Sequence, residues 1–166
     1  MAKVIILCGK IAGGKTYYAN QLKEQRKAII LSVDDLMLKL SDSCLGDRHG
    51  DVVGRCERYF YGLSEQIVSS GLDVIIDFGY WSKKERDAAK EYYKKAGITA
   101  ELHYIKTSEE ERSKRLAQRN EILQKQYELN PKERLYIIGD ELKDRLDLKF
   151  EEPSEAEIDV LISDMN

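Results

Sequence analysis

The stretch GKIAGGKT, residues Gly9–Thr16, constrains the fold more than any other part of the sequence. It satisfies the pattern G-x-x-x-x-G-K-[ST], follows directly on the apolar run Val4–Cys8 and leads into a stretch with helical spacing. In that setting the glycines let successive backbone N–H groups point inward as an anion nest, and the helix N-terminus adds its dipole. We therefore predict a phosphate-binding loop (P-loop) between a strand and a helix. A glycine turn followed by a chance Lys-Thr is the alternative.

The residues of this loop have distinct predicted roles. Lys15 would reach the β- and γ-phosphates of a bound nucleoside triphosphate, and the Thr16 hydroxyl would hold Mg²⁺. Further predicted nucleotide contacts in this stretch are Gly9, Gly13, Gly14 and Tyr17. Lys10 stands at a variable position of the pattern, so we expect only the second lysine to act on phosphate.

Five short apolar runs are separated by longer polar stretches. The runs are Val4–Cys8, Ala28–Val33, Asp73–Asp77, Ala100–Ile105 and Ile158–Ile162. Apolar runs without clean alternation are typical of strands buried on both faces, as in a parallel sheet. Strand alternating with helix along the chain predicts a doubly wound α/β fold in a single domain over residues 1–166.

The polar stretches carry helix signals. Their predicted ranges are 16–26, 52–71, 82–97, 108–120 and 130–146. Ser82 and Glu85 form a capping-box pattern, Ser108 is a second N-cap candidate, and Asn130 with Pro131 has the cap-then-proline order of a helix start. Two regions do not fit the pattern, Ser41–Asp51 and the basic stretch at about 112–132. We expect them to be a substrate loop and a lid, because such folds place both at the carboxyl ends of strands.

Composition limits the partners. The chain has 166 residues, 34% of them charged, and a formal net charge of −3, so it has no general attraction to nucleic acid or to an anionic membrane. Three cysteines fit no metal or redox spacing, and Cys44, His49 and Cys56 lack a fourth ligand. With no apparent signal peptide or membrane span, we expect a cytoplasmic protein with reduced thiols.

Carboxylates follow the second and third apolar runs. Asp34 and Asp35 would lie beside the P-loop, where a carboxylate could accept a proton from a hydroxyl that attacks the γ-phosphate, and we favour Asp34 as a strand-end residue. The alternative is that Ser32 or Asp34 simply caps the next helix. Asp77 ends the third run and would bind Mg²⁺, directly or through water, or else contact the substrate.

Aromatic and basic residues complete the candidate site. Phe78, Tyr80 and Trp81 would line the substrate pocket or pack the sheet edge. Arg112, Arg115 and Arg119 share a helix face, so an anion or the Glu109–Glu111 turn should lie opposite; a solvated, salt-bridged face is the alternative. We assign Arg119 as the lid arginine that neutralises transition-state charge and Arg115 to the base or α-phosphate of the nucleotide. Arg55 could bind an anionic acceptor, and His103 is expected to be structural.

Several segments together resemble a known family. GKIAGGKT, SVDD, VIIDFGYWSKKERDAA, RLAQRN and FEEPSEAE are similar to small bacterial P-loop kinase-like proteins of the AAA-type ATP-binding class. Their relatives include the kinase half of phage polynucleotide kinases, zeta toxin and chloramphenicol phosphotransferase. The resemblance implies a three-layer α/β/α fold of kinase type with strand order 2-3-1-4-5, a general base at Asp34, and the lid arginine at Arg119.

Two departures weaken the polynucleotide kinase interpretation. Leu123 stands where those enzymes have a second basic lid residue, with Lys125 the nearest substitute, and Met37 stands where they have a basic residue for the acceptor phosphate. The sequence therefore predicts an ATP- and Mg²⁺-dependent phosphotransferase that acts on a small hydroxyl-bearing acceptor. A 5′-hydroxyl nucleic-acid kinase and a slow ATPase that acts as a switch are the alternatives. No base-reading motif separates ATP from GTP.

Overall fold

A five-stranded parallel sheet forms the centre of the protein in a computed structural model, which describes residues 1–40, 45–129 and 137–163. The strands are β1 (Val4–Cys8), β2 (Ile29–Ser32), β3 (Val74–Asp77), β4 (Ala100–Lys106) and β5 (Val160–Ser163). Their order is β2-β3-β1-β4-β5, and every pairing is parallel. The predicted fold class and the strand order implied by the resemblance are confirmed.

Helices cover both faces of the sheet. They are α1 (Lys15–Arg26), α2 (Val33–Leu40), α3 (His49–Ser69), α4 (Lys83–Lys95), α5 (Glu109–Leu129) and α6 (Asp140–Lys149), with a short 3₁₀ turn at Gly46–Arg48. The predicted capping box is present, because the hydroxyl of Ser82 accepts a hydrogen bond from the backbone N–H of Glu85 and the Glu85 carboxylate accepts one from the Ser82 N–H. Ser108 caps α5 in a similar way, accepting from the N–H of Glu111 at 3.3 Å.

The core lies on both sides of β1, which is why its sequence is continuously apolar. All five of its residues have no exposed surface. One face of the sheet packs against a cluster that includes Met37, Phe60 and Tyr93, and the other packs against Ala19 and Leu22 of α1. Because β3 and β4 flank β1, the loop that follows β1 opens at the middle of the sheet edge.

Three predicted boundaries differ from the structure. Residues 130–136 of the helix expected at 130–146 lie outside the described residues, and in its described part the chain is helical only from Asp140, because residues 137–139 are not helical and Gly139 has an extended backbone. The substrate loop predicted at 41–51 becomes helical from Gly46 onward, and its residues 41–44 are also outside the described part. Of the predicted lid, 112–129 belongs to α5. No helix in the described ranges is long and apolar enough to cross a membrane.

A buried ion pair attaches the end of the chain to α4. Arg86 is 1% exposed, and its Nε donates to the carboxylate of Glu157 at 2.9 Å while its Nη1 donates to the carbonyl of Glu151 at 2.8 Å. Burial alone would raise the pKa of Glu157, but the hydrogen bonds from Arg86 and Ser154 outweigh it and lower this pKa to about 2. The pair therefore stabilises the fold only while Glu157 is ionised.

Replacing Glu157 with glutamine should lower the free energy of unfolding in a pH-dependent way. The loss should be full above the ordinary pKa of 4.5 and should vanish as the pH falls towards 2, because a protonated Glu157 no longer neutralises Arg86. Urea unfolding of both proteins across this pH range measures it. Glu91→Gln is the control, since the exposed pair of Glu91 with Lys95 should contribute little at any pH. A loss that did not change with pH would contradict the account.

Candidate active site

The P-loop turns tightly at the carboxyl end of β1. A Cβ atom on Gly9 would lie 2.7 Å from the carbonyl oxygen of Ile105, and one on Gly13 would lie 2.9 Å from that of Lys10. Gly14 has a φ of 95° and is the N-cap of α1, so the left-handed backbone there also favours glycine. The loop geometry thus requires the glycines of the motif and leaves a cradle at the N-terminus of α1 that fits a phosphate group.

Lys15 folds back over this cradle. Its Nζ donates to the carbonyl oxygens of Gly9 at 2.8 Å and Lys10 at 3.1 Å. Burial lowers the pKa of Lys15, and the negative charges of Asp77 and Asp34 partly oppose this effect. The ammonium group is therefore held by carbonyl oxygens of the loop beside the phosphate cradle, where the charges of Asp77 and Asp34 act on it.

Asp77 lies at the end of β3, in register with Ser32 at the end of β2. Burial raises the pKa of Asp77, and the charge of Lys15 and a hydrogen bond from the hydroxyl of Thr16 lower it in part. A hydroxyl and a carboxylate in contact are hard oxygen donors of the kind Mg²⁺ prefers. Thr16 and Asp77 therefore fit a Mg²⁺ ion whose other ligands would be phosphate and water. The described residues include no cluster of three or more His, Cys, Asp or Glu able to hold a metal.

Asp34 is placed differently from the prediction. Helix α2 begins at Val33, directly after β2, so Asp34 and Asp35 both lie in its first turn and neither extends the strand. The reason is the hydroxyl of Ser32, which accepts the backbone N–H of Asp35 at 3.3 Å and caps the helix at once. The side chains of both aspartates are exposed and line the same cavity as the P-loop.

The three arginines of α5 separate into two groups. Arg112 is 1% exposed and donates to the carbonyl of Ile11 at 2.9 Å, to Asp147 of α6 at 2.6 Å and to Glu109. It therefore joins the P-loop to α5 and α6. Arg115 pairs with Glu111 at 2.8 Å and reaches the Gly13 carbonyl at 3.5 Å.

Arg119 is exposed and lines the cavity together with Arg115. Glu109 pairs with Arg112 and Glu111 pairs with Arg115, so the Glu109–Glu111 turn lies opposite this helix face. The ion pair between Arg112 and Asp147 was not predicted. Arg55 does not line the cavity, because its exposed guanidinium pairs with Asp51 at 2.8 Å.

One cavity of about 1700 Å³ joins these groups. Most of the predicted site residues line it, namely Gly13, Gly14, Lys15, Thr16, Tyr17, Asp34, Asp35, Asp77, Tyr80, Trp81, Arg115 and Arg119. Sequence reasoning missed Ile138, Leu142 and Leu146, which line the cavity from the α6 side. Single-ligand pockets are commonly about 300–1,000 Å³, so the volume suits a nucleotide together with a second substrate.

The turn after β3 supplies an aromatic wall. Gly79 and Tyr80 both have left-handed backbones, with φ of 94° and 47°. This turn buries Tyr80 in the core, 4% exposed and stacked on Phe78, while it leaves Trp81 half-buried at the cavity. The Nζ of Lys15 lies 5.8 Å from the centre of the Trp81 ring. Tyr80 is thus a packing residue as well as a lining residue.

The segment after α6 holds this turn in place, which the sequence suggested only as the late match FEEPSEAE. The backbone N–H of Glu151 donates to the carbonyl of Trp81 at 2.8 Å, and the Glu151 carboxylate accepts the N–H of Lys83 at 2.6 Å. Phe150 packs edge-on against the Trp81 ring. The position of Trp81 is therefore fixed by residues about seventy positions later in the chain.

Gly79→Ala should displace Trp81. An added Cβ would lie 2.5 Å from Nε1 of Trp81, and a left-handed backbone costs an alanine about 1–2 kcal/mol. Gly71→Ala is the matched control, because Gly71 has a φ of 91° with nothing near its Cβ and pays the backbone cost alone. Urea unfolding and tryptophan fluorescence measure the two effects. We expect both variants to lose stability and only Gly79→Ala to change the native emission; an unchanged emission would contradict the geometry.

The fold and loop define a P-loop nucleotide-binding domain of kinase-type topology. A family model described as AAA domain (AAA_33) matches residues 4–134, well over half of the chain. The chain therefore belongs to this AAA domain family, and the resemblance drawn from its motifs is confirmed. No curated protein matches the chain.

Solved structures share the fold. The APS kinase CysC of Mycobacterium tuberculosis, in complex with AMPPNP and APS, is 16% identical with a TM-score of 0.69, over 99% of this chain and 90% of that one. A sugar kinase from Janibacter sp. HTCC2649 is 13% identical with a TM-score of 0.63, over 98% and 86%. A chain of the Pnkp1/Rnl/Hen1 RNA repair complex is 17% identical with a TM-score of 0.66, over 89% of this chain and 43% of that one. At these identities the likeness establishes the P-loop kinase fold.

Proposed function

We propose that the protein transfers the γ-phosphoryl group of ATP to a hydroxyl group of a small-molecule acceptor. The observation that carries this proposal is the shared cavity, in which the exposed carboxylate of Asp34 faces the same space as the P-loop and its lysine. The kinases of similar fold that act on sugars and on APS support the reaction class.

Asp34 is proposed as the general base. Its carboxylate accepts the proton of the acceptor hydroxyl as the hydroxyl oxygen forms a bond to the γ-phosphorus. The bond between that phosphorus and the oxygen bridging to the β-phosphate breaks, and ADP leaves with the bond's electron pair. Asp35 is the neighbouring candidate for contact with the acceptor.

The remaining groups neutralise charge. Lys15 would move from the carbonyl oxygens that it contacts to the β- and γ-phosphates, and Arg119 would approach the transferred group as the lid arginine, with Arg115 on the nucleotide. Thr16 and Asp77 would hold Mg²⁺, which when bound offsets the negative charge of the phosphates.

The lid is proposed to include the part of α5 from Arg112 onward and residues to about 132. Arg112 is anchored near the start of this helix and Arg119 lies about two turns further along, so closure would move the part of α5 beyond Arg112 towards the nucleotide. Closure would exclude water, which otherwise competes with the acceptor for the γ-phosphoryl group.

A comparison of ADP release with and without acceptors tests the proposal. Hydroxyl compounds are grouped into pools by charge and size, and each pool is added to the full chain with ATP and Mg²⁺. Without a pool the protein should release ADP slowly. At least one pool should raise the rate of ADP release several-fold. A switch ATPase would release ADP at the same rate with every pool, and that result would contradict the proposal. Stimulation only by 5′-hydroxyl oligonucleotides, weakening steeply with salt, would favour the nucleic-acid kinase alternative instead.

A further inference from the structure

One side of the cavity has features that select an acceptor by its charge, an inference that rests on the proposed function. We define the acceptor wall as the cavity-lining residues of α2, α3, α4 and the turn Phe78–Trp81. Asp34 belongs to this wall, so a hydroxyl compound that reaches the proposed base must lie against it. The arginines of α5 line the cavity outside the acceptor wall.

The charge of the acceptor wall is negative. It carries the carboxylates of Asp34, Asp35, Glu57 and Glu85, and among its described residues it has no lysine or arginine, with His49 as its one nitrogen base. The cavity's other cationic side chains come from the P-loop, α1, α5 and α6. A phosphorylated or carboxylated acceptor would therefore meet like charges on this side.

Glu57 forms no salt bridge with the described residues, and the nearby charge of Arg58 only partly opposes the effect of burial on its pKa. Its half-buried carboxylate makes no hydrogen bond or salt bridge with any residue that the structure describes. Burial raises the pKa of Glu57, and the charge of Glu85 raises it further, with Arg58 acting in the opposite direction. A bound positive charge would offset this unfavourable arrangement.

Aromatic rings stand beside the two glutamates. Tyr61 meets Phe78 edge-on with ring centres 5.8 Å apart, and Phe78 stacks on Tyr80 at the same separation. Tyr61 lines the same cavity as Glu57 and Glu85, and the charges of these two carboxylates help to raise its pKa. Ring faces and carboxylates are separate features, and both attract organic cations.

We propose that the acceptor is a hydroxyl compound with a positively charged amine or ammonium group, such as an amino alcohol or an amino sugar. The cationic group would lie between Glu57, Glu85 and the aromatic rings, and the hydroxyl would face Asp34. This assignment disfavours anionic acceptors such as nucleic acid at the wall, whose lining does not include Arg55.

Binding of small probes tests the charge preference without phosphoryl transfer. Trp81 is the single tryptophan of the sequence and lies in the cavity, so its fluorescence reports on this site. The full chain with Mg²⁺ and a non-hydrolysable ATP analogue is titrated separately with three probes: choline, the uncharged isostere of choline, and lactate. In the isostere a tert-butyl group replaces the trimethylammonium group. We expect a saturable response to choline, and binding of the other two weaker by about tenfold or more.

Charge-removing variants identify the residues responsible. Glu57→Gln and Glu85→Gln should each weaken choline binding, and glutamine at position 85 keeps the capping box, so α4 remains intact. Glu91→Gln makes the same change on α4 away from the cavity and should bind choline like the original chain.

The proposal would be overturned by equal binding of choline and its isostere or by the absence of a saturable choline response. It would also be overturned if Glu57→Gln and Glu85→Gln bound choline as tightly as the original chain. The proposed function fails separately. Selective choline binding in a protein that phosphorylates no hydroxyl compound would support the cation site and contradict the phosphotransferase.

Discussion

Asp34→Asn should reduce phosphoryl transfer by about 10²–10⁴-fold while ATP binding stays close to that of the original chain. Asparagine has nearly the same shape but cannot take a proton from the acceptor hydroxyl. The side chain is exposed in the first turn of α2, and Ser32 provides the hydroxyl cap there, so the change should leave the fold intact. Initial rates of labelled product formation and the dissociation constant of an ATP analogue measure the two effects.

Asp35→Asn is the matched control for this prediction. It removes the same charge from the next residue of the same helical turn, so a purely electrostatic effect on the nucleotide would appear in both variants. We expect Asp35→Asn to change acceptor binding more than the maximal rate. A larger loss of maximal rate in Asp35→Asn than in Asp34→Asn would assign the base to Asp35.

Lys15→Ala should strongly reduce the use of ATP. Lys15 is the P-loop cation nearest to the predicted position of the phosphates, and removing one charge-stabilising donor typically lowers the rate by about 10²–10³-fold. Nucleotide affinity should fall as well, because the lysine would contact ground-state phosphate. The variant also loses the hydrogen bonds to Gly9 and Lys10, so circular dichroism and urea unfolding should accompany the rate and binding measurements.

Lys10→Ala separates a specific role from a general charge effect. Lys10 lies in the same loop, but its side chain is absent from the lining of the large cavity. Its loss should change transfer only slightly. Equal losses in Lys10→Ala and Lys15→Ala would mean that the loop attracts ATP by overall charge, which would contradict the role given to Lys15.

The fold was predictable because its signals are local. A parallel sheet covered on both faces requires continuous apolar runs, and each of the five runs contains or overlaps a strand, with Val4–Cys8 matching β1 at both ends. The order of the strands is not encoded in those runs and came from the family resemblance. Ser82 and Glu85 were predictable for the same reason, since a capping box needs only residues three positions apart.

Only those parts of the candidate site that depend on residues close together in the sequence were predictable. The P-loop and Asp77 are signalled by the strand before them. Arg112 has the spacing of Arg115 and Arg119, but contacts with Ile11 and with a carboxylate of α6 give it a buried position that no local pattern shows.

Long-range folding also sets the acceptor side. Glu57 and Glu85 lie on different helices, and only the packing of α3 and α4 beside the same cavity brings their charges together. The left-handed backbone of Tyr80 depends on the tertiary packing of its ring, as tyrosine rarely adopts it. The sequence left pocket lining and packing as alternatives for Tyr80, and the structure combines a buried position with a place in the cavity lining.

The fate of the γ-phosphoryl group tests the central claim most directly. The full chain is incubated with γ-labelled ATP, Mg²⁺ and a set of cationic hydroxyl compounds, and the label is separated into organic product and inorganic phosphate. We predict that most of the label enters an organic phosphate ester and that Asp34→Asn removes this product. Label found only in inorganic phosphate, released at the same rate by Asp34→Asn, would contradict the assignment of the protein as a phosphotransferase.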